Sequence, residues 1–243
     1  MALKAALILG GSRGLGRDAA RALAAAGWAV AVASRDLEAC ARVAAEIGAG
    51  ARAFEVDVTD HASVVRCVTA VETHYGHIHA ALANAGKILG AGPLDGIAQQ
   101  DFAAAVALNM GGVFNAISAV VPALKRAGGG SLVINAAVSG LRGAAGIGAY
   151  SAAKAGGIML AQVAAQEAGP FGVRVNVIAP GFIGTEAWMT KLGVQAEALS
   201  SRVPLRRIGR GEEIAATIAW LMSDASSYVS GAVIPIDGGM TAG

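Results

Sequence analysis

With 243 residues, 55% of them apolar and 15% charged, the chain can bury a large core and has a length that α/β folds reach as a single domain, here residues 1–243. A net charge of +2 with no basic run gives no argument for nucleic acid. No stretch of about 20 apolar residues passes without a charge or turn signal, so no membrane helix is expected.

The sparse charge suggests that some surface is covered between subunits. Cys40 and Cys67 sit in helical-looking stretches without partners at metal or redox spacing, which predicts a reduced, cytoplasmic setting. The start, Met1-Ala2-Leu3-Lys4 and a short apolar run, lacks the length and cleavage site of a secretory signal.

Short apolar runs at 5–9, 29–33, 52–56, 80–83, 132–135, 174–178 and 233–235 read as buried strands. Helical patterns open between them near Gly14, Asp36, Asp60, Gln99, Ala149 and Gly211. Continuous apolar strands alternating with helices predict a doubly wound α/β fold of the Rossmann type, a parallel sheet of about seven strands with helices on both faces. Ligands of such sheets lie outside the carboxyl ends of the strands, so the informative loops follow Leu9, Ala33, Val56, Ala83, Asn135 and Ile178.

The first of these loops is Gly10-Gly11-Ser12-Arg13-Gly14-Leu15-Gly16. Glycines between a strand and a helix allow a tight turn and close backbone approach to a pyrophosphate, which then meets the helix N-terminus. The second strand ends in Ser34-Arg35, where a carboxylate would hold the ribose hydroxyls of NAD. Two guanidinium groups, Arg35 and Arg13, and the Ser34 hydroxyl suit a 2′-phosphate instead, the bland alternative being two ordinary surface arginines.

Asp57-Val58 ends the third strand, where a side chain can reach an adenine. Asn84-Ala85-Gly86 ends the fourth and reads either as a polar turn or as part of a site. His74, His77 and His79 lack convincing metal spacing, so no metal site is predicted. Asn109 interrupts an apolar helical run, which is costly unless its amide is bonded. It is either a satisfied core asparagine or one that opens the helix and holds a water.

Tyr150 and Lys154 stand four residues apart, so on a helix a phenol and an ammonium share one face. A lysine there stabilises phenolate and suits the tyrosine to acid or base work. Residues 182–210 form the one long irregular stretch and have the length and composition of a functional lid, expected near 186–210.

These motifs, in this order along essentially the whole chain, resemble the short-chain dehydrogenase/reductase family in its shorter NADP(H)-using branch. The resemblance rests on the glycine loop, Asp57, Asn84-Ala85-Gly86, Asn109, Tyr150 with Lys154, Pro180-Gly181-Phe182-Ile183-Gly184-Thr185 and the end Ile236-Asp237-Gly238-Gly239. Within the family the chain looks most like the 3-oxoacyl thioester reductases. The resemblance implies that Tyr150 donates a proton to a carbonyl while NADPH delivers hydride. It implies that Lys154 binds the nicotinamide ribose and lowers the tyrosine pKa, and that Asn109 holds a relay water. Asp57-Val58, Asn84-Ala85-Gly86, Pro180, Gly181, Ile183 and Thr185 join the cofactor-binding set, the last two at the carboxamide end.

Two positions depart from the family pattern. Leu9 stands where the glycine motif usually opens with threonine. More seriously, Ala137 takes the place of the catalytic serine, and an alanine methyl cannot donate a hydrogen bond. Three readings are open: a serine-to-alanine variant made to trap a bound substrate, a site that uses Ser139 two positions on, or a substrate whose oxyanion the tyrosine holds alone. Strand alternation would keep Ser139 on the side of Ala137.

The expected activity is NADPH-dependent reduction of a small or thioester-linked 3-oxo ketone, reversible as alcohol oxidation. The rival is a cofactor-binding sensor or scaffold, for which Ala137 is the support. Arg126 and Arg174 are the basic residues nearest the stretches where carrier-protein reductases carry such residues, so an acyl-carrier-protein partner is only weakly supported. The family and the small residues of 149–167 imply a homotetramer.

Overall fold

A computed structural model of the chain describes residues 3–48, 50–185 and 195–242. The strands are β1 (Ala5–Leu9), β2 (Ala29–Ser34), β3 (Ala51–Glu55), β4 (Ala80–Ala83), β5 (Gly130–Asn135), β6 (Val173–Pro180) and β7 (Val233–Ile236). All pair in parallel, in the order β3-β2-β1-β4-β5-β6-β7. The chain winds outward in one direction from β1 and in the other from β4. The crevice at their carboxyl ends is therefore the topological switch point where ligands of this architecture bind. The inner strands β1, β2 and β4 are buried along almost their whole length, which is why they read as unbroken apolar runs.

The helices are α1 (Gly14–Ala25), α2 (Leu37–Ile47), α3 (His61–Tyr75), α4 (Gln99–Val106), α5 (Gly112–Arg126), α6 (Gly148–Ala168), α7 (Gln195–Ser200) and α8 (Gly211–Met222). Asp36 and Asp60 start α2 and α3 by accepting the amides of Ala39 and Ala62, both at 2.9 Å. On one face of the sheet, Ala19, Ala20 and Leu23 of α1 and Ile214, Ile218 and Leu221 of α8 cover Ile8, Val30, Leu82 and Ile178. On the other, α3, α5 and α6 bring Val64, Val113, Ala116, Leu124 and Ile158 against Leu7, Leu132, Ile134 and Val175. Each buried Val, Leu or Ile among them stabilises the fold by about 1.5–3 kcal/mol relative to exposure.

The structure sharpens the sequence reading at several places. β3 begins and ends one residue earlier than 52–56, because this edge strand is half exposed and shows no clean alternation. The helix from Gln99 to Arg126 is continuous, and it widens to a π turn at Ala107–Gly111, around Asn109. By length and composition this helix would pass for a membrane span. Its Ala105, Val113, Ala116 and Val120 are nevertheless buried within the protein. Residues 186–194 of the expected lid lie outside the described residues, and the remainder contains the short helix α7. Finally, Gly156 and Gly157 of α6 face neighbours within the chain. A Cβ on Gly156 would collide with Met110 Sδ, and one on Gly157 would sit 3.5 Å from Val113 Cγ2.

Candidate active site

The glycine loop leaves β1 beneath two of its neighbours. Gly10 and Gly11 donate their amides to Ala33 O at 2.7 and 3.1 Å, and Asn84 Nδ2 donates to Gly10 O at 2.8 Å. Gly10 has φ +93°, and a Cβ there would lie 2.7 Å from Ala85 N. A Cβ on Gly16 would run into the Gly10 carbonyl, so the third glycine lets helix and loop touch.

Helix α1 starts at Gly14 with no side-chain cap from Arg13 and no acidic residue in its first turn. Its leading N–H groups are thus unspent by capping, and the helix dipole favours an anion there. Thr185 closes on the same place, its Cγ2 3.6 Å from where a Gly14 Cβ would be. Bare backbone, an uncapped helix start and a flanking threonine fit the pyrophosphate of a dinucleotide.

Ser34, Arg35 and Asp57 gather along the adjoining strand ends. Ser34 Oγ accepts from Asp36 N at 3.1 Å, lies 3.2 Å from Asp36 O, and meets Cys40 Sγ at 3.1 Å. The Asp36 carboxylate is committed to capping α2. The side chains of Arg35 and Arg13 are exposed. Asp57 Oδ1 accepts both the amide and the hydroxyl of Thr59, at 2.9 and 2.7 Å. These bonds, aided by the charge of Arg35, hold the Asp57 carboxyl below its ordinary value. Val58 is buried and packs against Gly112.

At the far end of the β6 edge, Gly181 N donates to Ile236 O at 3.0 Å, and a Cβ on Gly181 would lie 2.8 Å from Asp237 Cα. Pro180 ends β6, and Ile183 bridges to Gly209. The loop carrying Ile183 and Thr185 therefore hangs between β6 and α1.

Tyr150 and Lys154 share one face of α6, with Lys154 Nζ 5.6 Å from the Tyr150 ring centroid. Lys154 is 3% exposed and donates to Asn135 O at 2.6 Å. A Cβ on Gly86 would sit 2.9 Å from Asn109 Oδ1 and 3.1 Å from Lys154 Nζ. The glycine after β4, the asparagine of the π turn and the lysine of α6 thus converge on one spot. Asn109 is fully buried, donates to Lys87 O and Ala105 O, and accepts from Lys87 N. It opens the helix as expected and is also a satisfied core amide, with one lone pair of Oδ1 left over.

Electrostatics correct one expectation. Burial pushes the Tyr150 phenol up to about 12, rather than Lys154 drawing it down. Burial also lowers the Lys154 ammonium to about 8. The physical reason is that both groups are buried and lose hydration, which disfavours the charged form of each. At neutral pH the pair is a neutral phenol beside a cation.

The Lys154 value carries a stability consequence. Between pH 8 and about 10 the unfolded lysine holds a proton that the folded one releases, so its contribution to stability rises with pH. Relative to a Lys154→Met variant, the native protein should gain about 2 kcal/mol between pH 8 and 10 in denaturant titrations. A difference that stays flat across that range would show that the lysine is not depressed.

The serine question has a geometric answer. β5 ends at Asn135, and residues Val138–Gly140 form a 3₁₀ turn, so strand alternation does not extend to Ser139. Ser139 Oγ is buried and has no partner among the described residues, whereas Ala137 is half-buried with extended backbone, φ −167° and ψ 157°. One residue of the site escaped the sequence reading. Asn135 bonds to Asn84 and carries Lys154 on its carbonyl, and its only sequence signal is an amide closing an apolar strand.

Known proteins resemble this chain along nearly its whole length. The family described as Enoyl-(Acyl carrier protein) reductase matches residues 10–241. Levodione reductase of Leifsonia aquatica is 37% identical over 97% of this chain and 93% of its own length. The 3-oxoacyl-[acyl-carrier-protein] reductase MabA of Mycobacterium tuberculosis is 36% identical over 99% of this chain and 94% of its own. The crystal structure of an NAD+-bound xylitol dehydrogenase superposes with a TM-score of 0.92 at 30% identity, covering 97% of this chain and 98% of that one.

Proposed function

The chain belongs to the short-chain dehydrogenase/reductase family of oxidoreductases, and from that premise we propose that it reduces a ketone to a secondary alcohol with NADPH and runs the reverse oxidation. The observation that carries the proposal is the position of Tyr150 and Lys154 on α6, with Lys154 Nζ bonded to the end of β5. The bound nicotinamide would supply the hydride. The glycine loop and the start of α1 would hold its pyrophosphate, with Asn84-Ala85-Gly86 lining the floor. Ile183 and Thr185 would hold its carboxamide end, with Pro180 and Gly181 shaping the turn beside them.

Tyr150 gives its phenolic proton to the carbonyl oxygen as negative charge develops there. Lys154 then faces a phenolate and stabilises it by charge. Asn109 holds the water that returns a proton. In alcohol oxidation the same groups act in reverse, and Tyr150 accepts the proton.

NADPH is favoured over NADH because the carboxylate near the end of β2, Asp36, caps a helix while Arg35 and Arg13 stand exposed. Asp57 would face the adenine. Replacing Arg35 by alanine should lower the preference for NADPH over NADH about tenfold in kcat/KM, as expected for a lost charge-assisted pair. An unchanged preference in both Arg35→Ala and Arg13→Ala would show that neither reads a 2′-phosphate.

The substrate class is a free ketone or a 3-oxoacyl thioester of coenzyme A. A carrier protein is less favoured, because Arg126 is clamped by Glu72 and Arg174 by Ser223 O, Ser226 Oγ and Val229 O. A homotetramer is the proposed assembly, supported by exposed Phe114, Met159 and Val163 on α5 and α6. We place the protein in the cytoplasm.

Ala137 favours a second reading, a cofactor-binding sensor or scaffold without turnover. A panel of ketones with NADPH separates the two. Cofactor oxidation with any ketone supports the reductase, and tight binding with no oxidation across the panel supports the sensor.

A further inference from the structure

After Ser131, β5 runs through Leu132, Val133 and Ile134 and ends on Asn135, which is 9% exposed. An amide at that depth is costly unless its polar atoms are paired. Its Nδ2 donates to Asn84 Oδ1 at 2.7 Å, but its Oδ1 is buried without a partner among the described residues. A leucine would occupy the place without that unpaired acceptor, so packing alone does not account for the asparagine.

Chemistry fixes the direction of both amides. Gly10 O only accepts, so Asn84 turns its NH2 toward it, at 2.8 Å. Asn84 Oδ1 is left facing Asn135, which answers with its own NH2. The result is a row of polar groups across the ends of three neighbouring strands, β1, β4 and β5. The backbone carbonyl of Asn135 then accepts Lys154 Nζ at 2.6 Å. One residue ties the glycine loop by its side chain and the lysine by its main chain.

We infer that Asn135 is a positioning residue for the nicotinamide cofactor, acting through Asn84 to hold Gly10 and the loop that follows in its binding shape. The inference rests on the nicotinamide-dependent function proposed above. The role belongs to the side chain, because the carbonyl that carries Lys154 is independent of residue type.

The test is cofactor affinity in the full-length protein without ketone, read by nucleotide fluorescence. In Asn135→Leu the dissociation constants of NADPH and NADH should both rise about tenfold, because the loop serves the part that the two share. Loss of Arg13 or Arg35 should act on NADPH alone.

Asn135→Asp has nearly the same shape. When ionised it offers only acceptors to Asn84 Oδ1, so it should weaken both cofactors, and the loss should ease as pH falls and the carboxyl regains a proton to donate. In a double-mutant cycle with Asn84→Ala, the double variant should bind no more weakly than the weaker single. Unchanged affinity in both Asn135 variants, or losses that simply add in the cycle, overturns the inference whatever the melting temperature does. Native protein that binds neither cofactor would overturn the function on which it rests.

Discussion

Replacing Tyr150 by phenylalanine lowers kcat by at least about 10³-fold and leaves NADPH affinity within about twofold. Positioned proton transfer contributes about 10²–10⁴ to a rate, and this site places the burden on one group. Ala137 offers no donor, the Ser139 hydroxyl is buried, and the N–H groups of Asn109 are spent on Lys87 O and Ala105 O. Lys154 is engaged with Asn135 O. The phenol, at about 12, keeps its proton throughout the neutral range and yields it only to a stronger base, which the developing alkoxide is. Steady-state NADPH oxidation and a fluorescence titration give the two numbers. A Tyr150→Phe variant that keeps a tenth of the native kcat would sink the assignment.

The second large effect runs the other way. Ala137→Ser should raise kcat at least tenfold on the right ketone, and the full worth of such a donor is about 2.7–4 kcal/mol, or 10²–10³ in rate. The backbone of Ala137 is extended, a conformation any residue adopts, so a serine fits without strain. The residue is only half-buried, so the added hydroxyl can reach water or substrate. KM for the ketone should change less than kcat, since the bond strengthens as the carbonyl oxygen gains charge. If kcat does not rise with any ketone that the native protein turns over, the tyrosine alone holds the oxyanion.

The central strands were legible because burial on both faces removes alternation and leaves plain apolar runs such as Ala5–Leu9 and Ala80–Ala83. Helix starts were legible where a capping aspartate marks them, as at Asp36 and Asp60. The one-residue slip at β3 belongs to a half-exposed edge, where either face fits the pattern. The π turn left one trace, an amide in an apolar run, and Asn109 was singled out on that trace.

Other features need three dimensions. Whether 138–140 continues a strand or turns depends on packing against α6, where a Cβ on Gly140 would already touch Lys154. The direction of the Tyr150 shift depends on how deeply the phenol is buried, which spacing does not encode. The link from Asn84 to Asn135 joins residues far apart in the chain, and only the strand order brings them side by side.

That strand order also has a consequence for how the chain is made. β1 leaves the ribosome first, yet one of its two edges stays open until β4 arrives, because Ala6 pairs with Ala80. Its other edge closes earlier, on β2. The loop that follows β1 takes its final shape only when Asn84 and Ala85 come to rest against Gly10 and Leu9. A nascent chain that ends before β4 thus carries every glycine of the phosphate loop without being able to hold it. Closing that long-range contact is a slow, entropically costly step of the kind that sets folding rates. The shape of that loop is then acquired only once β4 has been added, as an outcome of strand pairing rather than of its own glycines.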